Sequence, residues 1–181
     1  MAILCKLMMQ SQSSSQNFQA FQALLANAVH QAFELAYYAL ALSAAMNRAK
    51  KPGFARWMHH HWHDTTTSAM MGFDLLVLLK APLQLAALSR PNFEPARSFS
   101  WLEPLLARER ALLERLHELQ SIAEASLSIN QLLDILEPLE TLTNRQVERV
   151  ERMLYVVETL QLLEMSEGDV NRIDQELMGM G

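Results

Sequence analysis

The sequence predicts an all-α fold, a four-helix bundle with one long connection across its middle, and three observations carry the prediction. Apolar residues recur at three- and four-residue spacing over four long stretches, the period of one face of a helix. Glycine and proline are scarce, five and six among 181 residues, whereas helix-favouring Leu, Ala, Met, Gln and Glu dominate. Three of the prolines fall together between residues 80 and 99, where a continuous helix is excluded. With 50% hydrophobic residues the chain has material for one core, so we expect a single domain over residues 17–181 behind a flexible tail over 1–16.

The first helix is expected from about Asn17 to Arg48, with Leu25, Val29, Ala32, Ala36 and Leu40 on its apolar stripe and Glu34 on the other side. Lys50-Lys51-Pro52-Gly53 marks a turn, Pro52 being suited to the first position of the next helix. That helix runs to about Leu79, and its inward positions, Met58, His61, Thr65, Ser68, Gly72, Leu75 and Leu76, are unusually polar in the middle. Lys80 to Phe99, holding Pro82, Pro91 and Pro95, is the long crossover. Ser100-Trp-Leu-Glu103 has the form of a capping box, and Leu105, Leu112, Leu116 and Leu119 continue a third helix to about Ser126. The fourth carries Leu132, Leu136, Leu139, Leu142, Val147, Val150, Leu154, Val157 and Leu160, with Pro138 near its start. Ser166-Glu-Gly-Asp169 introduces a short fifth helix, Val170 to Met178, with acidic residues at its positive end. Four-helix bundles with one long crossover between the second and third helices are the ferritin-like arrangement.

A formal net charge of -5, with no Lys/Arg run interleaved with aromatics, argues against nucleic acid as a partner. The apolar part of Met1–Met9 is too short to span a membrane, and Lys6 interrupts it. A single cysteine, Cys5, cannot form an internal disulfide, which points to a reducing compartment, the cytoplasm.

From Gln22 to Leu177 the sequence resembles the bacterial non-haem ferritins. The resemblance rests on Gly168-Asp-Val-Asn-Arg-Ile-Asp174-Gln-Glu-Leu177 at the fifth helix, Glu109 and His117-Glu-Leu119 on the third, Phe73-Asp74 on the second and Gln146-Val147-Glu148 on the fourth. It implies a subunit that binds or stores iron, assembled with copies of itself into a closed octahedral cage of twenty-four subunits. Without such a cage the fifth helix and the apolar crossover would leave too much hydrophobic surface in water. The family oxidises ferrous iron at a pair of ions held by a Glu from the first helix, a Glu-x-x-His on the second, and Glu residues from the third and fourth.

An ungapped register puts Ala32, Thr65 and Ser68 at three of those ligand positions and leaves Glu109, with Gln146 and Glu148 as outer members. A rival register offers Glu34 in place of Ala32. The resemblance therefore implies iron held weakly or as mineral by a chain with absent or very weak ferroxidase activity, with an active ferritin subunit as a further partner. The alternatives are a structural or regulatory relative without physiological iron, and a metalloenzyme with a rebuilt mononuclear site.

Four of the six histidines lie in Met58-His59-His60-His61-Trp62-His63-Asp64. His59 with His63, and His60 with Asp64, are four apart and share a helical face, so each pair suits copper or zinc as two prongs; the other reading is a solvated surface. Asp64 also matches a family glutamate beside the diiron centre that contributes to a cavity-facing iron site. His61 points inward toward Glu109, either as a ligand of a rebuilt metal site or as a buried histidine bonded to a carboxylate. Eleven methionines read as core and interface filler, and Gly72 to Leu88 as a buried dimer surface. Glu148, Arg149, Glu151 and Arg152 read as a solvated, salt-bridged face, with lumenal iron nucleation by Glu148 and Glu151 as the alternative.

Overall fold

The computed structural model describes residues 2–82, 86–88, 101–127, 129–162 and 167–179. Five helices follow in order: α1 (Ala2–Arg48), α2 (Pro52–Leu78), α3 (Leu102–Ser126), α4 (Ile129–Leu162) and α5 (Glu167–Gly179). The opening segment expected as a tail runs as helical backbone continuous with α1, which is 47 residues long. No proline or glycine precedes Pro52, so nothing in the local sequence interrupts that helix. Ser100, the expected cap of α3, lies outside the described residues, as does most of the crossover; Trp101 is the N-cap residue.

The turn between α1 and α2 is closed by backbone bonds from Lys51 N to Met46 O and from Lys50 N to Asn47 O, with Lys50 at a left-handed φ of 58°. A second C-terminal turn of the same kind ends α2, with Ala81 N bonded to Leu76 O and Lys80 at φ 53°. Both lysines occupy the position that glycine most often fills, and the bonds satisfy carbonyls that each helix end would leave open. Pro52 opens α2 as expected, and α4 runs through Pro138 without ending.

α1 packs on α2 and α3, and α4 on α3 and α2, which closes the four-helix bundle. Phe21, Leu25, Leu42, Met46, Phe54, Met58, Leu105, Leu119, Ile135, Leu139 and Met153 are buried at its centre. The inward positions expected for α2 are all buried. On α4 the expected Leu139, Leu142, Val150, Val157 and Leu160 are buried, joined by Ile135, Thr143, Gln146, Arg149 and Met153, while Leu132, Leu136, Val147 and Leu154 are only partly covered. Apolar residues alone miss the middle of this face, which buries an amide and a guanidinium.

Gly72 was counted within an apolar dimer surface but lies inside the bundle; a Cβ there would come within 2.7 Å of Val29 Cγ2 on α1. Among the described residues of the same stretch, the large exposed apolar side chains are Val77, Leu78 and Leu88; Tyr37 and Leu40 on α1 are exposed as well.

α5 docks on the start of α2. The first N–H groups of α2 lack an intrahelical acceptor, and Lys51 supplies no side-chain cap. Asp174, 7% exposed, does so from α5: its Oδ1 accepts from Phe54 N at 2.9 Å. Lys51 Nζ donates to Asn171 Oδ1 at 2.5 Å, and Arg56 Nη1 to the Met178 carbonyl at 3.3 Å. The backbones meet so closely that a Cβ on Gly53 would lie 1.6 Å from the Asp174 carbonyl oxygen.

Two variants test this clamp. Asp174→Ala should cost about 1 kcal/mol, the usual value of a lost N-cap. Gly53→Ala should cost more, because backbone rather than a side chain must yield. Thermal unfolding reads the stability, and hydrogen exchange should show faster exchange over residues 167–179 in both; unchanged exchange would mean that α5 does not depend on this contact.

Candidate functional site

Three helices bring polar side chains to the middle of the bundle, and a fourth faces them with an alanine. Successive inward turns of α2 present His61, Thr65 and Ser68; α3 contributes Glu109; α4 contributes Gln146 and Arg149; and α1 contributes Ala32. All seven are buried, with Thr65, Glu109 and Gln146 fully so. Thr65 turns its hydroxyl back to the His61 carbonyl at 2.7 Å, within its own helix.

Glu109 is the hub. Its Oε1 stands 2.6 Å from His61 Nε2, and its Oε2 accepts from Gln146 Nε2 at 2.5 Å. The same amide nitrogen donates to the Glu109 backbone carbonyl at 2.8 Å, which fixes α3 against α4. Gln146 Oε1 accepts from Arg149 Nη2, and Ser68 Oγ accepts from Arg149 Nη1 at 2.8 Å. Arg149 Nε lies 3.8 Å from Glu109 Oε2. His61 thus reaches Glu109, as its inward position predicts, in the manner of a buried histidine bonded to a carboxylate.

Burial by itself pushes the Glu109 carboxyl up, but the charge and hydrogen bond of His61, then the charge of Arg149 and the Gln146 amide, outweigh it and hold the group below the ordinary carboxylate range. Burial likewise pushes Arg149 down from its usual value while Glu109 pulls it up. A guanidinium starts so high that it stays protonated. The interior therefore contains a carboxylate and a guanidinium facing one another, with the amide of Gln146 bridging them.

A small cavity of about 20 Å³ adjoins this network, lined by Ala32, Ser68, Gly72, Gln146 and Arg149 among others, with room for roughly one water. Ala32, not Glu34, faces it. Glu34 is partly exposed, 3.8 Å from His30 on its own helix, and lines a separate groove with Gln31, Leu35, Arg108 and Ala111.

The remaining candidates lie away from Glu109. His59, His60 and His63 are exposed; the Trp62 ring packs edge-on against His59 and His63 with centroids 5.0 and 5.9 Å apart. Asp64 Oδ2 pairs with Arg152 Nη2 at 3.4 Å in the open. Among the described residues no three or more His, Cys, Asp or Glu side chains come together to hold a metal ion, so copper or zinc at His59, His60, His63 and Asp64 gains no support from the geometry. Glu148 and Glu151 are exposed.

Arg149 corrects the sequence reading. It was placed on a solvated face of alternating charge, yet it is 2% exposed, whereas its neighbours Glu148, Glu151 and Arg152 are indeed exposed. The residue follows Gln146 by three and precedes Met153 by four, which puts it on the buried stripe. That spacing from Gln146 was the signal available in the sequence.

Glu109→Gln would leave Arg149 buried without its counter-charge, a change that typically costs about 3–5 kcal/mol. The folded carboxyl titrates below its unfolded value of about 4.3, so its contribution is complete above that pH and is lost as pH falls through the lower folded value. Urea unfolding across pH should show the wild type weakening on the acid side and a shallower decline in Glu109→Gln. Equal slopes would remove Glu109 from the acid response.

Comparisons with known proteins agree with this architecture. Among solved structures, an open-pore ferritin from the hyperthermophilic archaeon Archaeoglobus fulgidus superposes with a TM-score of 0.76 at 23% identity, covering 87% of this chain and 95% of that one. A form of the Archaeoglobus fulgidus ferritin engineered to be closed gives 0.75 at 23% identity over 87% and 94%. A humanized archaeal ferritin gives 0.74 at 22% identity over 87% and 93%. No curated protein sequence matches the chain. The family model of the ferritin-like domain matches residues 22–163, from α1 to the end of α4. By that match and by its five-helix fold, the chain belongs to the ferritin family.

Proposed function

We propose that this chain is a ferritin-like cage subunit that holds iron without oxidising it in its own bundle interior. The observation that carries the reading is the set of partners around Glu109. Oxidation at a paired-iron centre needs several carboxylates and an imidazole free to bind two cations. Here Ala32, Thr65 and Ser68 stand where the resemblance places ligands, Thr65 is bonded to its own helix, and Ser68 and Gln146 accept from a guanidinium. Both Glu109 oxygens are engaged by His61 and Gln146. These residues do not suit a pair of ferrous ions.

Family membership supports iron as the cargo. Exposed apolar side chains on α1 and α2, Tyr37, Leu40, Val77 and Leu78, leave surface that self-association would cover. We infer a closed cage of twenty-four copies, alone or mixed with an active ferritin subunit that supplies oxidised iron. Its exposed acidic groups, Glu148 and Glu151 included, are then surfaces for mineral rather than catalysts. No described helix is long and apolar enough to cross a membrane, and a cytoplasmic site suits the lone Cys5.

The decisive assay adds ferrous iron aerobically to the purified apoprotein and follows oxygen uptake. Uptake should match a protein-free control, whereas rapid stoichiometric oxidation would overturn the reading. Light scattering at micromolar concentration should find a large closed oligomer, and a stable monomer or isolated dimer would remove the cage. Elemental analysis of protein from iron-replete cells should find iron; its absence would favour a structural or regulatory relative.

A further inference from the structure

Outside the bundle interior, α1 and α3 frame a groove of about 260 Å³, lined by Gln31, Glu34 and Leu35 from α1 and by Arg108 and Ala111 from α3. Spacings of three and four residues set each helix's contributors on one face. Glu109, next to Arg108 in sequence, is fully buried while Arg108 is exposed, so the groove and the Glu109 network occupy different faces of α3.

The two charges of this groove do not neutralise one another. Glu34 leans toward His30 on its own helix, at 3.8 Å, and Arg108 lies over the Tyr38 ring with its guanidinium carbon 5.2 Å from the centroid. Gln31 Oε1 is buried without a hydrogen-bond partner. Turning that amide toward an N–H donor in the groove breaks no bond at Oε1 and satisfies an acceptor that is costly to leave unpaired. Leu35, which is buried, and Ala111 give the groove an apolar wall. A divalent cation does not suit this lining, because a guanidinium accompanies the one carboxylate, and a simple anion would meet Glu34. A ligand carrying both signs finds a partner at each end.

We propose that the groove binds a small zwitterion of the α-amino-acid class, with its ammonium on Glu34 and the Gln31 amide oxygen, its carboxylate on Arg108, and a short aliphatic side chain along Leu35 and Ala111. An arginine offers a carboxylate two parallel N–H donors, and contact with the Tyr38 ring restrains this one, so less freedom is lost on binding. The groove's volume falls just below the range of roughly 300–1,000 Å³ usual for drug-sized ligands, which suits a molecule of amino-acid size. This site is independent of how the bundle interior handles iron.

The test titrates the full-length protein with L-leucine as probe and follows binding by ligand-observed NMR. Saturable binding is expected. Isoamylamine, which lacks the carboxylate, and isocaproate, which lacks the amine, should each bind about tenfold more weakly or worse. Glu34→Gln should weaken leucine by about the same factor while leaving isocaproate unchanged or tighter, and Arg108→Gln should weaken leucine while sparing isoamylamine. General loss of structure would not produce this crossed pattern. Both side chains lie at the surface, so each variant should unfold at the parent's temperature; if one does not, the analogue pattern in the other decides. The proposal is overturned if leucine does not bind, if it binds equally well after both substitutions, or if either analogue binds as tightly as leucine.

Discussion

The pairing of Glu109 with Arg149 is the interaction on which the interior depends. An isolated carboxylate at zero exposure would take up a proton or disrupt the core, since moving a charge out of water carries a cost of several kcal/mol. Glu109 avoids this through His61 on one oxygen and Gln146 on the other, with the guanidinium behind. Gln146 transmits the restraint, because it bonds the side chain and backbone of Glu109 with one end and Arg149 with the other. Arg149 extends it to α2 through Ser68. Three helices are thereby held in one register by polar bonds that an apolar core would not supply.

Such a network is no economical source of stability. Replacing a buried ion pair by well-packed apolar residues is often neutral or favourable, whereas breaking one member is harmful. It stands in a bundle otherwise filled with Leu, Met and Phe. Small residues adjoin it: Ala32 and Gly72 line the adjoining cavity, and Gly72 lets Val29 of α1 approach. At the bundle's end, Asp174 plays the corresponding part for α5, which acquires its position by supplying an acceptor that α2 lacks.

The long helices, the turn at Pro52 and the inward face of α2 were legible because apolar spacing and proline placement act locally. His61 and Glu109 were also legible as a pair, since both lie on buried stripes at matching depth. Arg149 was not. A charged residue between Glu148 and Glu151 looks solvated unless its burial partners, contributed by α2 and α3 more than 35 residues away in sequence, are already known. The same difficulty affected the stripe of α4, where Gln146 and Arg149 replace the apolar residues that periodicity counts. Propensity and period describe which face of a helix turns inward where that face is apolar; Leu139, Leu142, Val150, Val157 and Leu160 follow it, whereas the buried polar middle leaves little local trace.

The most direct measurement of the central claim is a crystal structure of the assembled protein after an anaerobic ferrous soak, with data collected across the iron absorption edge. The account predicts guanidinium density against Glu109, Gln146 and Ser68 and no anomalous signal among them. An iron peak within bonding distance of Glu109, with Arg149 swung aside, would contradict it.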